Sequence, residues 1–132
     1  METNQQRQVI YEIFPRNYGI NGNFTDIIND LDRIKSLGVD IIWLMPIHPI
    51  GVLSRKGSEG SPYSIQDYSK IHPDLGDEQD LSRLISEVHK RDMKIIIDAV
   101  LNHTSVDSDW VTSHPSYYLQ NDSGEIIRKV SD

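Results

Sequence analysis

Three apolar runs separated by two amphipathic segments constrain the fold of this chain more than any other feature. Val9-Ile10-Tyr11-Glu12-Ile13-Phe14 reads as a strand stopped by Pro15. Val39 to Met45, ended by Pro46, and the run from Lys94 to Leu101 are continuous enough for strands covered on both faces. After the turn Asn21-Gly22-Asn23, a helix starts at Thr25 with Ile27, Ile28, Leu31, Ile34 and Leu37 in one stripe. Gly38 closes it, because a helix end favours a residue free to take positive φ. A second helix, Glu78 to Arg91, carries Leu81, Leu84, Ile85 and Val88 on one side. Asp77 is its expected N-cap with Asp80 as a weak capping-box partner, and Lys90 and Arg91 suit the negative end of its dipole. Strand, helix, strand, helix, strand implies parallel βαβ units. Right-handed crossovers put both helices on one outer face.

The spacing narrows this further. Val9 to Ile41 is a shift of 32 residues, close to the roughly 31 per unit of an eight-unit barrel. Ile41 to Ile95 is a shift of 54, so the loop after the second strand is the long one. It runs from Ile47 to Gly76, largely polar but holding Tyr63, Tyr68 and Ile71. After His103 the chain turns irregular, with Trp110, His114-Pro115 and Tyr117-Tyr118. A turn at Asn121–Glu125 then leads to an expected short strand at Ile126-Ile127.

Composition excludes several classes. Thirteen basic against twenty acidic residues, a net charge of −7, disfavour nucleic acid and anionic membrane surfaces as partners. No stretch is apolar enough to span a membrane or to open the chain as a signal peptide, and there are no cysteines. A cytoplasmic location is therefore expected. At 132 residues the chain is one domain or part of one.

Chemistry gathers at the end of the third run. Asp98 is a lone acid in apolar surroundings and needs a designated partner, since an unpaired buried carboxylate is costly. Asn102 and His103 follow at the carboxyl end of the strand, where α/β architectures bind ligands. A buried acid satisfied by a backbone amide, followed by a polar turn, explains these residues equally well.

The segment Asp98-Ala-Val-Leu-Asn102-His103 resembles the first conserved region of the α-amylase superfamily, glycoside hydrolase family 13. Three more elements occur in that family's order. Gly38-Val39-Asp40-Ile41-Ile42-Trp43-Leu44-Met45-Pro46 resembles its second strand, Tyr63-Ser64-Ile65-Gln66-Asp67-Tyr68 its Tyr-x-x-x-Asp-Tyr loop, and Leu75-Gly76 the approach to its next helix. Together they cover Val9 to Trp110. The resemblance implies an α/β fold, the first three strands and two helices of a TIM (β/α)8 barrel. Residues 1–103 would be barrel, and 104–132 the start of an excursion inserted after strand three.

It further implies the N-terminal part of a glycosidase acting on α-glucosidic bonds of starch, maltodextrin or related oligosaccharides by a retaining mechanism. In that family the nucleophilic Asp, the acid Glu and a third Asp follow later strands. No catalytic residue is then expected in this chain, which would be an inactive fragment by itself. Tyr63 would be the aromatic platform under the sugar ring, and His103 would hydrogen-bond a hydroxyl of the same sugar. Asp67 and Asp98 would hold basic or hydroxyl groups in place. Asn102 would be a calcium ligand or, as its residue type also allows, a cap of the turn.

The expected partner is an α-glucan or malto-oligosaccharide, with no nucleic acid and no membrane. Self-association is expected if the outer strands lack neighbours. A non-catalytic, amylase-like carbohydrate-binding or scaffold module is the alternative. A nucleotide-binding α/β domain is disfavoured, because the turn from Pro15 to Gly22 has no G-x-G-x-x-G and no phosphate-loop Lys-Ser/Thr pair.

Overall fold

The computed structural model describes residues 7–128. Its three strands, β1 (Ile10–Ile13), β2 (Ile41–Leu44) and β3 (Lys94–Ile97), form one parallel sheet in sequence order. The register is level: Ile10 pairs Ile41 and Ile41 pairs Lys94, while at the other end Ile13 pairs Leu44 and Leu44 pairs Ile97. The helices α1 (Phe24–Ser36) and α2 (Glu78–Lys90) pack on each other. Strand alternation sends Tyr11, Ile13, Ile42, Leu44 and Ile95 into the core, where Phe24, Ile27, Leu31, Ile34, Leu84 and Val88 meet them.

The other face carries Ile10, Glu12, Ile41, Trp43, Lys94 and Ile96. The apolar runs led us to expect this face covered too, yet among the described residues it is open, with Ile10 52% and Ile96 45% exposed. In the barrel that the sequence resembles, that face would be filled by side chains from strands around the ring.

Both helices begin as their sequences demand. Asn23 caps α1 by accepting from the Asp26 N–H at 3.0 Å, two residues before the Thr25 start expected. On α2, Asp77 and Asp80 complete both halves of a capping box. Gly38 sits at φ +82°, the left-handed geometry that ends α1.

The strands are shorter than their apolar runs. Val9 and Phe14 fall outside β1, Val39 and Met45 outside β2. Asp98, expected inside the third strand, lies one residue beyond β3 and half-buried, with its N–H donating to the Leu44 carbonyl at 2.9 Å.

The long connection after β2 is folded back on itself rather than loose. The His72 N–H bonds the Ile47 carbonyl at 2.8 Å and closes its neck. Inside, Ile50 and Ile65 form an antiparallel bridge, and Ile65 is fully buried. After β3 come a short helix α3 (Trp110–Ser113) and a single 3-10 turn at Pro115–Tyr117. The strand expected at Ile126-Ile127 is reduced to one bridge between Gln120 and Ile126. Among the described residues, no helix is long and apolar enough to cross a membrane.

Candidate functional site

The level register brings the ends of all three strands to one edge of the sheet, and the segments leaving that edge meet there. The Tyr63 hydroxyl, on the loop after β2, donates to Asp98 Oδ2 at 2.9 Å, just past β3. Asp98 therefore has its partner, a phenol and not a backbone amide. The Asp98 carboxylate beside it raises the Tyr63 phenol above its ordinary value, with burial and the Glu12 charge adding to the effect. Glu12 lies on the open face of β1. Sequence reading did not single it out, although its place between the core residues Tyr11 and Ile13 was the available signal.

His103 and Asn102 are exposed and adjacent, the Asn102 amide nitrogen 3.4 Å from His103 Nδ1. The backbone beneath them is held by Tyr68, whose hydroxyl reaches the Val100 and His103 carbonyl oxygens at 2.5 and 2.9 Å. Burial raises the Tyr68 phenol above its ordinary value and keeps it a donor. Its ring stacks on Trp110 at 5.1 Å, and Trp110 meets Tyr117 edge-on. Tyr68 closes the Tyr-x-x-x-Asp-Tyr segment, whose pattern assigns it no partner. A tyrosine serving two carbonyls from another segment leaves no local sequence signal.

Asp67 lies apart from the Tyr63–Asp98 pair. It accepts from the Ser69 hydroxyl and N–H at 2.6 and 2.8 Å and pairs Lys70 at 3.1 Å. These donors hold its carboxyl down at about 2. It stiffens its own turn and holds a hydroxyl and an ammonium, with no hydrogen bond to Tyr63 or His103. Arg16 ties the two neighbouring loops together. Its guanidinium donates to the Glu59 and Gly60 carbonyls at 2.8 and 3.1 Å and lies over the Phe14 ring.

No three His, Cys, Asp or Glu side chains among the described residues gather for a metal ion. Nearby Asp107 is committed to the N–H groups of Val52 and Leu53. Asn102 supplies one oxygen where calcium takes six to eight.

The family model for the alpha-amylase catalytic domain matches residues 2–125. Among curated proteins, the chain is 39% identical over 110 residues to trehalose-6-phosphate hydrolase of Bacillus subtilis, covering 80% of this chain and 18% of that one. It is 37% identical over 111 residues to oligo-1,6-glucosidase of Bacillus cereus, covering 80% and 19%. Among solved structures, an alpha-amylase from Lactobacillus plantarum superimposes with a TM-score of 0.89 at 46% identity, over 93% of this chain and 29% of that one. A maltogenic alpha-amylase from Thermotoga neapolitana gives 0.85 at 40% identity, over 89% and 29%. The chain thus spans about a fifth of the length of the curated relatives it matches.

Proposed function

Since this chain belongs to the alpha-amylase catalytic-domain family, we propose that it is the N-terminal part of a glycosidase acting on α-glucosidic bonds, and that it builds one wall of the sugar subsite. The observation that carries this reading is the Tyr63–Asp98 hydrogen bond, which joins two segments 35 residues apart at the carboxyl edge of the sheet. A pyranose presents an apolar C–H face that stacks on an aromatic ring. Tethering the phenol to Asp98 fixes the ring before sugar arrives, so little side-chain entropy is left to lose on binding. His103, exposed and on a backbone pinned by Tyr68, supplies a hydrogen bond to a sugar hydroxyl. Such bonds strengthen as positive charge builds in an oxocarbenium-like transition state.

Retaining cleavage also needs a carboxylate nucleophile and a carboxylic acid about 5 Å apart. Asp98 and Asp67 are engaged as described, and neither is free for that work. In this reading the pair comes from barrel strands outside these 132 residues. The substrates are starch, maltodextrin or related oligosaccharides.

Titration of the chain with maltotriose, followed by NMR of the Tyr63 ring and the His103 imidazole, tests the subsite. Both should shift together, and Tyr63→Ala should abolish the His103 response. Shifts confined to other residues would overturn the reading. The chain should also release no reducing sugar from starch or maltodextrin. Turnover that vanishes in Asp98→Asn would place the chemistry on these residues instead.

A further inference from the structure

We propose that Asp107 is a positioning residue for the sugar platform: its carboxylate latches the loop that carries Tyr63 onto the segment after β3. The proposal rests on the reading of Tyr63 as that platform. Three stretches lie side by side here. The Gly51 N–H donates to the Ser64 carbonyl at 2.9 Å, the Gln66 N–H to Pro49 at 2.8 Å, and the Ser105 N–H to Ile65 at 2.8 Å. Asp107 closes this arrangement. Its Oδ2 accepts from the consecutive N–H groups of Val52 and Leu53 at 2.8 and 3.1 Å, and lies 3.4 Å from the Gln66 amide nitrogen. One oxygen thus serves both limbs of the loop, more than fifty residues from Val52 along the chain.

The packing around the latch leaves no slack. A Cβ on Gly51 would stand 2.3 Å from Ser105 Cβ and 2.6 Å from Asp107 Oδ1, so only glycine lets the limb come this close. Ser105 is buried, and neither its hydroxyl nor Asp107 Oδ1 has a hydrogen bond of good geometry. Burial alone would raise the Asp107 carboxyl. The Val52 and Leu53 N–H groups, with the Ser105 hydroxyl close by, outweigh it and leave the acid below its ordinary range. Among the described residues, Tyr63 itself is hydrogen-bonded through its N–H to the Ser61 hydroxyl at 3.2 Å in its local turn and through its phenol to Asp98. The turn fixes its shape, and the latch fixes where that turn sits.

The Tyr63 phenol reports on the latch, because its titration is raised chiefly by the bond to Asp98. The 132-residue chain is labelled with 13C-tyrosine, the Tyr63 signal assigned through Tyr63→Phe, and the phenol titrated. In Asp107→Ala the Tyr63 titration should fall towards its ordinary value as the Asp98 bond loosens, with the Ile42 and Leu44 amides unmoved. Trypsin should cut after the exposed Arg55 and Lys56 about tenfold faster, as expected when a loop opens more readily.

Gly51→Ala, which keeps the carboxylate but forces the limb away, should give the same fall and covers the case in which Asp107→Ala does not fold. Asp107→Asn, retaining a side-chain oxygen, should restore part of the titration shift, and Asp107→Leu should not. A Tyr63 titration that stays raised in a folded Asp107→Ala or Gly51→Ala chain overturns the proposal. A wild-type chain that ignores maltotriose, while Asp107→Ala still lowers the Tyr63 titration, overturns the sugar reading and supports the latch.

Discussion

The Tyr63 hydroxyl has a single proton, and in this structure it goes to Asp98. Tyr63→Phe keeps the ring and its packing but leaves the carboxylate without that donor. We expect a loss of about 1 kcal/mol, below the roughly 1.5–3 kcal/mol of a well-buried hydrogen bond to a charged group, because the pair is only half-buried. A thermal or urea melt measures it. Asp67 is held differently, and its carboxyl is depressed from 3.8 to about 2. The stabilisation it gives its turn is present above the unfolded value and is lost as pH falls through the folded one. The Asp67 carboxyl signal in 13C NMR should therefore titrate near 2, with the Ser69 amide shifting in step. At this scale the sequence was informative about who but not with whom. Asp98 in an apolar run announced a partner, but nothing local to Tyr63 could say that it was the one. Asp107 announced nothing, because its donors are backbone N–H groups that any residue at 52 and 53 would supply.

Elements were more legible, for a physical reason. Helix ends are governed by nearest neighbours, so Asp77 with Asp80 and the glycine at 38 could be read from a few residues. Strand ends depend on which carbonyls a neighbouring strand offers, and that is a tertiary fact. Hence the apolar runs overshot β1 and β2, and Asp98 fell beyond β3. The short strand at Ile126-Ile127 failed similarly, because a single bridge to Gln120 is all that the opposing segment provides. Asp77→Ala removes one side of the capping box and should cost about 1 kcal/mol. Leu31→Ala, at a fully buried position of α1, should cost about 2–5 kcal/mol through lost burial and a cavity. Comparing the two by denaturant titration asks whether packing outweighs capping in this small sheet, as these magnitudes require.

For the molecule as a whole, the two outer strands are what we expect to govern its behaviour in solution. Among the described residues β1 and β3 each pair on one side only, and Val9, Ile10, Ile96 and Ile97 are 38–52% exposed. Parallel edges of this kind template further pairing. The isolated chain should sediment as concentration-dependent oligomers, and Ile10→Lys with Ile96→Lys should shift it towards monomer without changing the helical circular dichroism. The closed neck of the long connection has a different consequence. The Ile47–His72 hydrogen bond brings the ends of that excursion together beside the sheet. With the neck and the latch closed, only the exposed tip at residues 54–58 can change length cheaply, since each doubling of a flexible loop costs only about 0.6 kcal/mol in closure entropy. Descendants of such a chain can lengthen or shorten that tip while inheriting the strands unaltered. Such variation must leave in place Gly51, the backbone that meets Asp107, and Tyr63, Ile65 and Tyr68, which tie the stretch to the segment after β3, and those positions set the grammar that a longer tip has to obey.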